Sequence, residues 1–428
     1  MKFIGTLFFA SLCFALQAQI SAGPMIGHST ITEVTIWAQF DRSEEATLWY
    51  GMEGSDSILH TAGILPVPEQ EYIVKFVLTN LVPGTTYIYH IQQENFQSSM
   101  FTFSTQGLWQ HRTDPPPFTL ATGSCAYINE SEFDRPGKPY GGDYHIFQSM
   151  ADDQPDLMLW LGDNTYLREA DLGSRSGIMH RYHHTRATPE LQALLASCPH
   201  YAIWDDHDYG PNDSDRSFIY KAWTEEAFSL FWANPTVGIP AAGGVGTSFS
   251  FNDVDFFLLD NRSFRTHPEL QADLQIWGKE QCDWLIEALK NSNASFKIVA
   301  SGGQFLSDVP IYENHVRWQE ERAYMLKRLS DEGIKNVIFL TGDRHHSELS
   351  ALKLTSGYMV YDLTASPLTS TAYDHSKEPN TLRVPGSIFG QRNYALIAFE
   401  GALKKRTATM RLFDSNGVLL WEYSIKQE

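Results

Sequence analysis

The stretch Asp156-Leu157-Met158-Leu159-Trp160-Leu161-Gly162-Asp163-Asn164-Thr165-Tyr166 decides the fold of this chain. A short apolar run of the kind buried in a sheet ends on a glycine, and a carboxylate and a phenol follow at once. The construction recurs along the sequence. Residues 201–204 run into Asp205-Asp206-His207-Asp208, and residues 256–259 into Asp260-Asn261-Arg262. Residues 297–300 run into Ser301-Gly302-Gly303-Gln304, and residues 337–340 into Thr341-Gly342-Asp343-Arg344-His345-His346. A sixth run, residues 118–121, leads through Thr122-Gly123-Ser124 to Cys125. Between these strands lie helical patterns at residues 144–152, 189–196, 218–232, 269–289 and 318–330. That alternation predicts an α/β domain. In such sheets a site forms in the crevice beyond the carboxyl ends of the strands.

The residues gathered at these ends are metal ligands by type. Carboxylates suit hard divalent and trivalent cations, and imidazole and thiolate extend the choice. Each motif is weak alone. A Gly-Asp pair is usually a turn, Asp-Asp-His is usually a solvated loop, and a buried cysteine is usually packing. Six strand ends converging on one crevice point to a metal site.

Outward from this core, residues 31–105 read as all β. Strand patterns at 34–38, 46–50, 72–76, 86–91 and 99–103 are separated by turns such as Val82-Pro83-Gly84-Thr85. Short strands at this spacing predict a small β-sandwich over residues 20–105, with no cluster of His, Asp or Cys in it. Residues 106–117, which include Pro115-Pro116-Pro117, read as a linker, and residues 118–428 as the catalytic domain. Three strand patterns at 394–399, 407–413 and 418–425 close the chain. Residues 1–19 have one lysine, an apolar run and small or polar residues at the end, the pattern of a signal peptide cut near Ala18 or Gln19. The run is short of the roughly 20 residues of a membrane span. The expected location is secreted or periplasmic, and the expected state a monomer. Loss of the leader with Cys13 leaves Cys125, Cys198 and Cys282, an odd number, for which a Cys198–Cys282 disulfide is one option.

The 428 residues are 43% hydrophobic and 13% aromatic, enough for a sizeable core. Lys and Arg number 32 against 51 Asp and Glu, a formal charge of −19. So acidic a chain is a poor partner for nucleic acid or anionic lipid.

The order Gly162-Asp163-x-x-Tyr166, Asp205-Asp206-His207-Asp208 and Gly342-Asp343-x-His345 resembles the calcineurin-like metallophosphatase superfamily, and within it the PhoD-like alkaline phosphatases. The resemblance covers nearly the whole mature chain. It extends to Trp204, to the segment 209–213 and to Asp260-Asn261-Arg262. Residues 81–89 resemble the tyrosine-bearing end of a fibronectin III-like domain. The implied fold is a calcineurin-like metallophosphatase sandwich, two packed β-sheets flanked by helices, preceded by a fibronectin III-like β-sandwich. Most superfamily members open their ligand set with Asp-x-His. Here Ser124-Cys125 stands instead, as in PhoD-like enzymes. The resemblance implies that Cys125 and Tyr166 help to hold Fe3+, with Ca2+ alongside. It implies that Asp163 bridges the metals and that Asp343 and His345 complete the first site. Asp206 stands where the superfamily has a metal-binding asparagine, and Asn212 is a further candidate. Gln304 stands where a histidine is usual. Other divalent metals, Zn2+ or Mn2+, suit the same donor types.

Phosphate esters resist hydrolysis because their charge repels nucleophiles. Metals neutralise that charge and lower the pKa of bound water, so a metal-bound hydroxide is the expected nucleophile. His207 is the expected general acid or hydrogen-bond donor. The competing assignment is a structural histidine bound to Asp208. Arg262 is the first candidate phosphate clamp and Arg168 and Arg344 are further ones, since a guanidinium fork matches phosphate; each could instead sit in a salt bridge. The expected function is a secreted phosphatase with an alkaline optimum, acting on small phosphate monoesters or diesters. The alternatives are a phosphodiesterase of the phospholipase or teichoic-acid type, and a non-catalytic binding or adhesion protein with a vestigial metal site.

Overall fold

The computed structural model describes residues 20–240 and 242–428; the expected signal peptide lies outside the described residues. The first strands are β1 (Ile20–Ser29), β2 (Val34–Phe40), β3 (Thr47–Met52), β4 (Leu59–His60), β5 (Ile73–Leu78), β6 (Thr86–Gln93), β7 (Phe96–Gln97) and β8 (Phe101–Ser104). They form two sheets, β1-β2-β5 and β4-β3-β6-β7, with β8 paired to β6. Ile36, Leu48, Phe76, Tyr89 and Ile91 fill the space between them. Strand β1 begins well before the expected all-β region. Gly23-Pro24 reads as a breaker in sequence, but the pairing of β1 with β2 shifts register around it. Proline is tolerated at such bulges.

Strand alternation explains why β2 is apolar on both faces. Ile36 points into the sandwich, while Trp37 packs into the core of the following domain. Trp37 Nε1 donates to the Leu230 carbonyl at 2.9 Å. From β5, Lys75 Nζ donates to the carbonyls of Ser229 and Trp232, both at 2.6 Å. The β-sandwich is thus bonded to the α/β region that follows and not tethered by the proline-rich segment alone.

The second region has β9 (Phe118–Gly123), β10 (Leu157–Leu161), β11 (His200–Ile203), β12 (Thr247–Phe251), β13 (Val254–Leu258), β14 (Phe296–Ala300), β15 (Val337–Thr341), β16 (Glu348–Lys353), β17 (Met359–Thr364), β18 (Asn393–Glu400), β19 (Thr407–Asp414) and β20 (Leu419–Lys426). They build two six-stranded sheets, β11-β10-β9-β18-β19-β20 and β12-β13-β14-β15-β17-β16. Strands β9, β10 and β11 run parallel in the first sheet, and β13, β14, β15 and β17 in the second. Leu120, Leu159, Phe256, Ile298, Ile338 and Ile397 lie between the sheets. Helices α1 (Ile146–Asp152), α2 (Arg175–Arg186), α3 (Gln192–Ser197), α4 (Asp206–Tyr209) and α5 (Lys221–Phe231) belong to the first sheet's side. Helices α6 (Lys279–Asn291) and α7 (Gln319–Asp331) cover the second sheet.

Two helix expectations need correction. The pattern at 269–289 shrinks to α6, because Gly278, at φ 76°, sets a left-handed residue immediately before it. Helix α2 was not expected: its buried face mixes Ile178, Met179 and Tyr182 with Arg181 and Arg186. Arg181 is neutralised by Asp171 and Glu130, which lie outside the helix. The disulfide option is also corrected. Cys198 and Cys282 are free thiols, one in the core on the first sheet's helical side and one on the buried face of α6 over the other sheet. No helix among the described residues is long and apolar enough to cross a membrane.

Burial pushes the Lys75 ammonium down to about 8, against an ordinary value of 10.5. The unfolded chain therefore holds the proton across a window where the folded chain has lost it, and stability should rise with pH from about 8 to 10.5. Urea unfolding across that range should show a steeper gain for the wild type than for Lys75→Met. Equal slopes would mean that the ammonium is not desolvated at this junction.

Candidate metal centre

The loops that follow β9, β10, β11 and β15 each bring one part of the site. Beyond β9, Cys125 is fully buried, and its Sγ accepts from Ser366 Oγ at 3.2 Å. Beyond β10, Asp163 Oδ2 accepts from Tyr166 Oη at 3.0 Å and lies 3.5 Å from Cys125 Sγ. Beyond β15, His345 brings Nε2 to 3.4 Å from Tyr166 Oη. Thiol, carboxylate, phenol and imidazole thus meet around one point. Cys125, Asp163, Asp343 and His345 all have positive φ, between 52° and 66°. Backbone of this kind is costly for residues with a Cβ and clusters at functional sites.

A second group shares Asp163: its ligand atoms cluster with those of Asp206 and His207. Asp206 also groups with Asp213 and Glu313, and Asp343 groups with Asp205 and Glu313. Asp343 was expected in the first site beside His345. It lines the same cleft as Asp163 and His345 and its charge acts on both Cys125 and Asp163, while its ligand atoms also group with those of Asp205 and Glu313. Sequence reading gave Glu313 no role, since it lies in an irregular segment with no strand before it. Its position follows from folding alone.

The sites open into one cleft of about 410 Å3, lined by Asp163, Asp206, His207, Asn212, Asp343 and His345 among others. Asn212 is exposed at its edge. Not all the strand-end aspartates face it. Asp208 accepts from the backbone N–H groups of Asn164 and Thr165, both at 3.0 Å, and from Asp205 at 2.9 Å. Asp260 holds Trp204 Nε1 at 2.9 Å and Val245 N at 3.0 Å. These two carboxylates tie loops together. Gln304 is occupied as well, donating to Glu348 and Thr364 and accepting from Arg344.

The proposed arginine clamps require correction. Arg262 is 1% exposed and does not line the cleft. Its guanidinium is gripped by Asp205 and Glu313, with Nη1 2.9 Å from Glu313 Oε1. Arg168 also lies off the cleft, paired with Glu169 at 3.1 Å. Arg344 reaches the cleft but is bound to Gln304, Asn314 and Glu378. His207 makes no hydrogen bond to Asp208. Its ring stacks on Tyr166, centroids 4.3 Å apart.

The donor set fits cations. Asp206 Oδ1 is buried without a hydrogen-bond partner. Burial, with Asp206, Asp205, Asp208 and Asp343 nearby, drives the Asp163 carboxyl well above its ordinary range. Burial and Asp163 do the same to the Cys125 thiol and the Tyr166 phenol. Burial would also raise Asp206, but His207, Arg262 and the Asp213 N–H hold it below the usual range. Burial pushes His345 down to about 4, so its ring is neutral, as a ligand must be. A multiply charged cation reverses the penalty on every anionic donor at once. Close packing holds the loops in place: at Gly302 a Cβ would fall 2.4 Å from the Asp205 carboxyl carbon.

Two packed mixed sheets, helices outside them and a carboxylate-rich cluster at the strand ends build a candidate metal centre. Residues 120–393, more than half of the chain, match the family described as PhoD-like phosphatase; the chain belongs to that family and is a phosphoric ester hydrolase. Among solved structures it is similar to PhoD, with TM-score 0.75 and 18% identity over 96% of this chain and 92% of that one. It is also similar to the purple acid phosphatase PPD1 from yellow lupin (Lupinus luteus) seeds, with TM-score 0.70 and 11% identity over 94% of this chain and 74% of that one. No curated protein matches it significantly. The metallophosphatase sandwich read from the sequence is the fold observed.

Chelation should lower the melting temperature, and adding metal back should restore it; metal at a hundred times its Kd contributes about 2.7 kcal/mol. In metal-free protein, Asp163→Asn should melt above the wild type, because one repelling carboxylate is gone. A lower melting point would show that the carboxylates do not repel. Arg262→Met should cost about 3–5 kcal/mol in urea unfolding, since it leaves Asp205 and Glu313 buried without their cation. A loss under 1 kcal/mol would argue against this pairing.

Proposed function

We propose that this chain is an exported phosphatase, active at alkaline pH on phosphate monoesters, diesters or both, and that it holds ferric iron with calcium. The observation that carries this reading is the meeting of Cys125, Tyr166 and His345 around Asp163. A buried thiol and phenol beside an imidazole favour iron over a purely hard ion, while Asp206, Asn212, Asp213, Glu313 and Asp343 offer the oxygen donors that calcium takes. Asp163 is the bridging candidate because it belongs to two clusters. Bound cations supply charge neutralisation and Lewis acidity at the phosphorus centre.

The chain's own residues do the rest. Asp163 accepts from the His207 backbone N–H at 3.3 Å, which fixes the α4 loop against the β10 loop. Tyr166 supports the imidazole of His207 by stacking. Burial lowers the pKa of His207. At alkaline pH its ring is therefore neutral, and it acts as a hydrogen-bond donor to a phosphate or leaving-group oxygen. Arg262 holds Asp205 and Glu313 in place from behind and does not touch substrate.

Protein loaded with iron and calcium should hydrolyse p-nitrophenyl phosphate or its bis-ester, and the ratio of the two rates assigns the monoester or diester preference. Failure on both ends the phosphatase reading. His207→Ala should lower kcat about 100-fold; an unchanged kcat removes it from the site's chemistry. Elemental analysis should find iron with calcium, and zinc alone overturns the metal assignment. N-terminal sequencing of the mature protein should begin near Ala18 or Gln19; an intact leader removes the export proposal.

A further inference from the structure

The mouth of the metal cleft is aromatic, and no step above uses that. Tyr140, Tyr312, Tyr373 and His375 line it together with the ligand candidates. Tyr312 is 61% exposed and Tyr373 45% exposed. A side chain so apolar gains by burial, so two tyrosine faces left open in a cleft mark a place for a ligand. They are held there deliberately. The Tyr373 ring lies parallel to His345, with centroids 5.7 Å apart and planes within 5°, and its backbone N–H donates to the His345 carbonyl at 2.9 Å. The His375 ring centroid is 6.1 Å from Tyr373 and 6.4 Å from Tyr312. Tyr312 sits at φ 45°, a left-handed backbone unusual for a bulky residue. Its carbonyl is fixed by Arg317 Nη1 at 2.6 Å.

Arg344 organises this rim. Its guanidinium lies 5.1 Å from the Tyr312 ring centroid. It grips Glu378 at 2.7 and 3.0 Å, and Glu378 in turn holds His375 Nδ1 at 2.7 Å. One side chain beside the ligand residues Asp343 and His345 therefore sets both walls of the mouth.

We propose that Tyr312, Tyr373 and His375 form a stacking subsite for the base of a nucleoside monophosphate, with Arg344 as its positioning residue. The proposal rests on the phosphatase reading and names its substrate class. Stacking on aromatic rings accepts any flat base, because each offers a π-face. Two features narrow the occupant. Arg344 already covers one face of Tyr312, which weakens that ring's pull on a second cation and disfavours a quaternary ammonium group. Tyr373 stands between His345 and the open face, so a ring stacked there lies one side chain beyond the metal ligands. An aryl phosphate puts its ring one oxygen from phosphorus, whereas a nucleoside puts its base a sugar's length away, as this spacing requires. The cleft's 410 Å3 also falls in the range of small-molecule pockets, roughly 300–1,000 Å3, and exceeds the need of a phosphate alone.

The test compares AMP with ribose 5-phosphate, both esters of a ribose 5-hydroxyl, which differ by the base. Wild-type kcat/KM should favour AMP about tenfold, chiefly through KM. Tyr312→Leu, Tyr373→Leu and Arg344→Met should each bring the ratio toward one, while Tyr373→Phe should keep it, because the ring and not the hydroxyl stacks. Thermal melting checks that each variant is folded. Saturation-transfer NMR of adenosine, which carries the base without a phosphate, should show the base protons H2 and H8 receiving the strongest transfer on the protein, and Tyr373→Leu should lose it. Equal wild-type turnover of the two substrates, or phosphocholine preferred over AMP, overturns the subsite. If neither AMP nor ribose 5-phosphate nor p-nitrophenyl phosphate is hydrolysed, the phosphatase reading fails instead; NMR transfer to the base would still report the subsite.

Discussion

Like charge brought out of water is the constraint on which this structure depends. Asp163, Asp205, Asp206, Asp208 and Asp343 are all buried or facing one narrow cleft. Carboxylates that close cannot all ionise without compensation. The protein answers in three ways. Backbone N–H groups satisfy Asp208, the Arg262 guanidinium satisfies Asp205 and Glu313, and Asp163, Asp206 and Asp343 remain in groups whose geometry suits a cation. The net charge of −19 is therefore partly a property of the site and not only of the surface.

This division explains why the arginines are not where a phosphate would meet them. A guanidinium buried at 1% exposure needs carboxylate partners, and Arg262 finds two of them across the two sheets. Asp205 follows β11 of one sheet, whereas Arg262 follows β13 of the other. The pair thus bridges the loops of both halves and fixes the floor on which the candidate ligand residues stand. Arg344 does a similar task at the mouth, where it holds an irregular segment through Glu378.

The architecture was legible because buried parallel strands leave an unmistakable trace, a short apolar run ending in glycine and polar residues. Residues 157–161, 296–300 and 337–341 show it plainly. Helix α2 was not legible, because two buried arginines hid its inward face and their partners lie elsewhere in the chain. The bulged strand β1 was hidden by Gly23-Pro24 for a related reason: its pairing is repaired by β2, not by its own residues.

The same boundary runs through the site. The sequence by itself marked the candidate donors, Cys125, Asp163, Asp206, Asp343 and His345 by strand-end position and residue type, which are local facts, and Tyr166 and Asn212 by resemblance. Only the tertiary structure decided which aspartates face the cleft and which tie loops together, that Glu313 lies beside Asp343, and that Arg262 supports the site from behind. Glu313 and the tyrosine rim come from irregular segments that no period marks. Their roles are contacts between residues far apart in the chain, and such contacts exist only once both sheets have packed.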